Sequence, residues 1–221
     1  MYDWQFQIIW NYIDVLLWGL GHTLLLALFS FVGAWLLSIP LALGKLSEDR
    51  LLNVVVSTIV EVMRDLPLIV MLIWMYYCLP FLGLELSPWV TAFIALSLNL
   101  SAYAAEVLRA GIRSVPRGQI EAAYATGLSR WHTFAHIVMP QATRTMIPPY
   151  LNLLVMVTKF SALASIIAVP ELLYQARDIV TNTYRPLEIF TAVAVLYLCL
   201  LVPLSLIARY AERRLSEKTK T

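Results

Sequence analysis

Long stretches free of Asp, Glu, Lys and Arg dominate this chain. Residues 15–44 form one such run, 30 residues long, and residues 66–84, 86–105 and 189–208 form three more. Residues 145–170 form a fifth, interrupted once, by Lys159. A helix needs about 20 apolar residues to cross a hydrocarbon core about 30 Å thick. None of the runs shows the period-2 alternation of barrel strands, and only helices or closed barrels satisfy their backbone in lipid. The pattern therefore predicts an all-α membrane protein with five transmembrane helices over roughly 15–44, 52–84, 86–108, 145–170 and 188–208. Residues 1–221 then form a single transmembrane domain. The first run is too long for one upright crossing and predicts tilt or an extra turn.

Composition agrees. Hydrophobic residues make up 60% of the chain and charged residues 14%, against about 25% charged in a soluble domain. An ordinary water-soluble globule, a disordered chain and a nucleic-acid binder are excluded, and the solvent is lipid. Cys78 and Cys199 fall inside apolar runs and read as buried small hydrophobes, with no disulfide. No Lys or Arg precedes Lys45, so the first run lacks the basic start of a cleaved signal. Asp3 and Asp14 instead favour an N-terminus outside the cytoplasm. With that orientation, twelve of the sixteen basic residues fall inside. The positive-inside bias thus predicts N-terminus out, C-terminus in.

The loop 109–144 between spans three and four is longer than a passive connection. Ser114 and Pro116 can open a helix, and residues 119–126 can carry it to Gly127. Ser129 can cap a second helix, through Trp131 to Met139, that Pro140 stops. Ala122 and Ala123 leave one face nearly bare for a close partner, and Glu121 offers it a charge. A solvated loop with no partner is the alternative.

These residues resemble a known family. Glu121-Ala122-Ala123, then Gly127, then Ile137-Val138-Met139-Pro140 is similar to the EAA motif of bacterial ABC importer permeases, E-A-A-x3-G-x9-I-x-L-P, with Met139 where leucine is usual. Met63–Leu68 resembles the R-x-x-P-L element. Ala102–Ile112 resembles the A-Y-x-x-E-x-x-R-A-G-I stretch of the polar amino acid branch, which takes histidine, glutamate, glutamine or arginine. Lys159–Leu172 resembles the K-D-T-S-L…P-E-L segment. The resemblance implies a type I importer permease in the bacterial inner membrane. In it, Glu121, Ala122, Ala123, Gly127, Ser129, Arg130, Ile137 and Pro140 form the coupling element that docks on a cytoplasmic ABC ATPase dimer. It also implies a second permease chain, identical or different, and a periplasmic or lipid-anchored amino acid-binding protein. The chain would not be an enzyme and would bind no cofactor: ATP and Mg belong to the ATPase. Consistently, the sequence holds no G-x-x-x-x-G-K-[ST] phosphate loop.

A charge inside a span costs about 2.5–3.5 kcal/mol on insertion scales and needs a reason. Glu61 lies three residues before Arg64 and four before Asp65, so a structural ion pair on one helix face is one reading, with Pro67 kinking the helix. The other is that Arg64 or Lys159 faces the solute path and attracts a carboxylate. Asn99, Ser101 and Tyr103 place polar groups in span three. By resemblance this region lines the path; interhelical hydrogen bonding is the alternative. Lys159, Phe160 and Ser161 occupy the place of K-D-T, and Phe160 cannot hold an ammonium group as the family's acid would. Either a partner chain keeps that acid or the solute is anionic. Residues 71–76 look somewhat like the glutamate/aspartate members, which favours an acidic solute. His132 and His136 lie one turn apart without a third ligand, so no metal site is expected. His22 reads as a helix neighbour, the outer loop 170–186 as a binding-protein contact or a solvated hairpin, and the basic tail 209–221 as a cytoplasmic anchor. Two rival functions remain: an ion-coupled secondary transporter, and a non-transporting membrane anchor for a cytoplasmic enzyme.

Overall fold

The computed structural model describes residues 3–217, and every regular element among them is helical. The α-helices are α1 (Gln7–Leu46), α2 (Arg50–Asp65), α3 (Leu68–Tyr77), α4 (Pro88–Arg113), α5 (Arg117–Ala125), α6 (Arg130–Thr133), α7 (Met139–Phe160), α8 (Leu172–Thr183) and α9 (Pro186–Glu217). Short 3-10 segments cover Leu79–Leu82 and Ser161–Ile167, and one π turn covers Phe134–Val138.

Among the described residues, four helical stretches are long and apolar enough to cross a membrane: Gln7–Leu46, Pro88–Arg113, Arg130–Ile167 and Pro186–Leu215. The segment expected as one span over 52–84 is instead broken. Leu66 is extended (ψ 120°) and Pro67 restarts the chain as α3, because proline supplies no N–H and disfavours helix at the residue before it. The α1 helix has 40 residues, about 60 Å at 1.5 Å per residue, so it overshoots the apolar core at one or both ends.

The central helix is α4, with 61% of its most apolar window buried against 11% for the peripheral α9. Its buried positions are mostly small: Ala92, Ala95, Ser97, Ser101, Ala102, Ala104 and Ala105. Small residues let helix backbones approach in lipid, where no hydrophobic drive pulls helices together. A Cβ on Gly33 of α1 would lie 2.7 Å from Ser97 Oγ, so a larger residue there would have to displace that hydroxyl from Ser30 O. One apolar cluster joins α1, α3, α4, α7 and the 3-10 segment after it; a second joins α1, α8 and α9 at one end; a third joins α4 and α7 at the other.

At the α8 end, Glu171 is fully buried. It caps α8 by accepting from Tyr174 N at 2.7 Å and accepts from Tyr197 Oη at 3.1 Å and Thr23 Oγ1 at 3.4 Å. Burial pushes its carboxyl above the ordinary range. One side chain thereby ties α8 to α1 and α9, so residues 170–186 are neither an open loop nor a solvated hairpin. Two further expectations need correction. Cys78 and Cys199 are exposed on the single chain, since an apolar run in lipid needs no protein cover on every side. Of the basic tail, Lys218 and Lys220 lie outside the described residues.

Ala168 follows the 3-10 segment with φ +62°, in the left-handed region, and its side chain is exposed. A Cβ in that region costs about 1–2 kcal/mol, partly offset on replacement by the extra freedom glycine has when unfolded. Ala168→Gly is therefore expected to stabilise the chain by about 0.5 kcal/mol. Thermal unfolding in detergent checks it, and a lower midpoint would count against it.

Candidate functional site

Two arrangements stand out, a hairpin at the α4–α7 end and the broken helix in the middle. The hairpin begins where α4 stops at Arg113 and α5 starts after Pro116. The α5 helix ends in a Schellman turn: Leu128 N donates to Ala123 O at 3.1 Å and Gly127 N to Tyr124 O at 3.0 Å. This turn needs a left-handed residue, and Gly127 has φ +83° with nothing within 4 Å of a would-be Cβ. Glycine is thus required by conformation and not by space. Ser129 then caps α6, accepting from His132 N at 3.3 Å.

The second arm differs from expectation in one important way. Pro140 does not stop it. The chain runs helically from Arg130 to Ile167, because the π turn Phe134–Val138 sits just before Pro140, which takes an N-terminal position of α7 where an N–H is not needed. The hairpin arm and span four are therefore one continuous rod. Gln141 Nε2 donates to Gln119 Oε1 and to Ile137 O, lashing α5 to that rod. The expected loop 109–144 also shortens, since Arg109 and Arg113 belong to α4 and Arg144 to α7.

On the hairpin, Glu121 and Ala122 are exposed but Ala123 is buried at 4% exposure. The two alanines so serve opposite faces: Ala123 packs inward and Ala122 leaves the outer face low. Arg130 and Pro140 are exposed and Ile137 is half-buried. The outer face also carries Tyr124, Leu128 and Trp131, the last 70% exposed. These three were not anticipated; an aromatic or leucine in an otherwise polar helix was the available signal.

At the broken helix, Leu66 and Pro67 leave carbonyls without helical donors, and α4 supplies them. Asn99 Nδ2 donates to Met63 O at 2.9 Å and Tyr103 Oη to Arg64 O at 3.2 Å. The Arg64 guanidinium lies 5.3 Å from the Tyr103 ring centroid, within cation–π range. Arg64 is exposed, and no ion pair among the described residues joins it to Glu61 or Asp65, so the expected ion pair is replaced by the tyrosine face. Arg64, Asn99 and Tyr103 are thus brought together. Ser101 and Ser161 are not part of this group: both are buried and donate back to carbonyls of their own turn, Leu98 O at 2.7 Å and Thr158 O at 2.9 Å. Lys159 is exposed, while Phe160 packs on the central cluster. His22 packs on Trp18, with ring centroids 3.8 Å apart.

A third feature lies within the Ala102–Ile112 stretch, where Glu106 and Arg109 gain a partner, Lys45, that the sequence does not indicate. Glu106 bonds Lys45 Nζ of α1 and accepts from Arg109 Nε at 2.8 Å. Lys45 is nearly buried, with 9% of its side chain exposed. Beside it, Gly111 faces Met146, whose Cγ would lie 2.3 Å from an added Cβ. Much of the A-Y-x-x-E-x-x-R-A-G-I stretch therefore clasps α1, α4 and α7 at the hairpin end.

The fold is a bundle with four membrane-length helical stretches, one of which carries the hairpin on its end. Residues 34–217 match the model of the family described as binding-protein-dependent transport system inner membrane component. The chain belongs to this family of ABC permease subunits and is a transporter component, not an enzyme. It is 34% identical over 216 residues to the glutamine transport system permease protein GlnP of Escherichia coli K12, covering 97% of this chain and 98% of that one. It is 37% identical over 212 residues to the L-cystine transport system permease protein TcyB of Bacillus subtilis, covering 93% and 91%. A solved amino acid ABC transporter with histidines superposes with a TM-score of 0.90 at 31% identity, covering 96% of this chain and all of that one.

Proposed function

We propose that this chain is the membrane half of an ATP-driven importer for polar amino acids in the bacterial inner membrane. The α2–α3 pair makes one crossing between them, giving five crossings with the N-terminus outside and the C-terminus inside. The hairpin docks through Glu121, Ala122, Tyr124, Gly127, Leu128, Ser129, Arg130 and Trp131 on a cytoplasmic ATPase dimer, which holds the ATP and Mg. A second permease chain completes the path, and a binding protein delivers solute at the α8 end.

The observation that carries this reading is the continuity of the hairpin arm with the span Arg130–Ile167. Motion imposed on Trp131 by a closing ATPase reaches Lys159 through one rod instead of being absorbed by a loop. Alternating access then follows as rocking of rigid helices around a fixed path. Arg64, Asn99 and Tyr103 line that path at the Leu66–Pro67 break, with Lys159 farther along; Ser101, Phe160 and Ser161 support its wall. Arg64 and Lys159 are exposed cations with no acid partner among the described residues, which suits a solute carboxylate and favours an acidic amino acid. Charge-assisted hydrogen bonds are about twice as strong as neutral ones, so a second carboxylate on the solute has a donor to meet.

Reconstitution tests the reading. In proteoliposomes holding the chain, its ATPase and its binding protein, enclosed ATP should drive uptake of labelled L-glutamine or L-glutamate, and a proton or sodium gradient alone should not. Gradient-driven uptake, or a chain that never binds an ATPase, would sink it. Within that assay, Arg64→Ala and Lys159→Ala are expected to raise KM about tenfold, one charge-assisted contact at about 1.5 kcal/mol each. Unchanged KM in both variants would leave these charges structural. Stronger competition by L-glutamate than by L-glutamine supports the acidic preference, and the reverse removes it.

A further inference from the structure

A cavity of about 640 Å³ opens at the hairpin end, between α5, α7 and α9, and plays no part in the path described above. Its wall includes Gln119, Gln141, Arg144, Thr145, Pro148 and Glu212. We propose that it is a second binding site, for a free zwitterionic α-amino acid, on the side where the importer releases its solute. The inference rests on the reading of the chain as an amino acid importer.

Three observations point to a zwitterion. First, the wall carries one cation, Arg144 on α7, and one anion, Glu212 on α9. They face the same space from different helices, and no ion pair among the described residues joins them. Second, Pro148 and Pro149 follow one another inside α7 and also line the cavity. Proline has no N–H, so the carbonyls of Arg144 and Thr145, four residues earlier, have no helical donor. Arg144 and Thr145 line the cavity from α7 and Glu212 lines it from α9, so its wall offers acceptors for an ammonium group. The guanidinium of Arg144, with its forked donors, suits the carboxylate. Third, the volume falls in the range of small-molecule sites, about 300–1,000 Å³. Gln119 and Gln141 bond to each other and form a fixed polar wall for a side chain. Filling the cavity would brace α5 against α9, so an occupant there should also restrain the hairpin.

The experiment uses the purified permease–ATPase complex, without binding protein and in lipid lacking phosphatidylethanolamine. Calorimetric titration compares L-glutamine with N-acetyl-L-glutamine, which lacks the ammonium, and 4-aminobutanamide, which lacks the carboxylate. The expected result is saturable L-glutamine binding, each blocked analogue at least about tenfold weaker, and a similar loss in Arg144→Ala and Glu212→Gln. ATPase turnover of the wild-type complex should slow as the site fills. The analogue series on the wild type keeps the test informative even if a variant assembles poorly. No saturable binding, or equal binding of all three compounds, overturns the inference. So does phosphoethanolamine binding as tightly as L-glutamine, which would mark a lipid headgroup site. A signal that Asn99→Ala removes and Arg144→Ala spares belongs to the span path and overturns it as well. Uptake measured on the same complex separates the two readings: ATP-driven import without binding at this cavity defeats only the inference, whereas gradient-driven import defeats the importer reading itself.

Discussion

Gly127→Pro is expected to reduce ATP-driven uptake on the order of a hundredfold while the chain still inserts and α1, α4 and α7 still pack. Gly127 holds φ +83°, and proline is confined near −65°. The substitution also deletes the N–H that donates to Tyr124 O. A misplaced proline costs about 3 kcal/mol, which is about a hundredfold in the balance between seated and unseated hairpins. Gly127→Ala should give a milder version: it keeps the N–H and meets no neighbour within 4 Å, but an L-residue in the left-handed region costs about 1–2 kcal/mol. Glu121→Arg leaves the turn intact and reverses one charge on the exposed face, so it should weaken ATPase association without altering the hairpin's own stability. Uptake and ATPase association are read together in proteoliposomes. Uptake by Gly127→Pro within twofold of the parent chain would show that the hairpin is not the lever. The rod geometry adds a second expectation: a flexible Gly-Ser insertion after Val138 should uncouple as severely, although it replaces none of Glu121, Ala122, Gly127 and Trp131 on the exposed face of the hairpin.

The helix-forming runs were legible because lipid imposes a length and a composition that no other solvent demands. The turn at Gly127 and the cap at Ser129 were legible too, because their chemistry is local. What stayed hidden depends on partners distant in sequence. Residues 52–84 read as one span because nothing in the run shows that Met63 and Arg64 carbonyls have Asn99 and Tyr103, 36 and 39 residues away, to receive them. Without those donors a break at Leu66–Pro67 would strand polar groups in lipid. Pro140 read as a stop because proline usually ends a helix; a π turn one residue earlier changes the outcome, and no local pattern announces it. Glu61 and Asp65 read as partners of Arg64 from spacing alone, yet the Tyr103 ring takes that place. Of the candidate path residues, Ser101 and Ser161 have hydroxyls that donate to carbonyls of their own turn, a local alternative that polarity alone does not reveal.

The largest stability effect should come from Glu106→Ala. Its carboxylate bonds Lys45 and Arg109 at once, and Lys45 keeps only 9% of its side chain in contact with solvent. Removing the acid leaves the lysine charge nearly buried with no counter-charge. Breaking such a pair costs about 3–5 kcal/mol when both partners are buried. Glu106 and Arg109 are 21% and 28% exposed, so the lower end, about 3 kcal/mol, is expected. The loss should appear as a lower unfolding midpoint in detergent and as weaker cross-linking of α1 to α4 at their hairpin ends. Replacing both partners, Lys45→Met with Glu106→Leu, should recover most of it, because an apolar pair of similar volume needs no desolvation. Arg109 can then turn outward, as its exposure already allows. If Glu106→Ala unfolds like the parent chain, the clasp adds nothing to stability. If it is unstable and the double variant equally so, the cluster acts through its hydrogen-bond geometry, including the Asn53 Nδ2 bond to Lys45 O at 2.6 Å, and not through charge. That second outcome matters for transport as well, since α2 begins at Arg50 and its far end is the Leu66–Pro67 break. A clasp that fixes α1, α2 and α4 at the hairpin end sets the position of Arg64 four turns away, so weakened Glu106 variants should also show a raised KM for uptake, in proportion to their loss of stability.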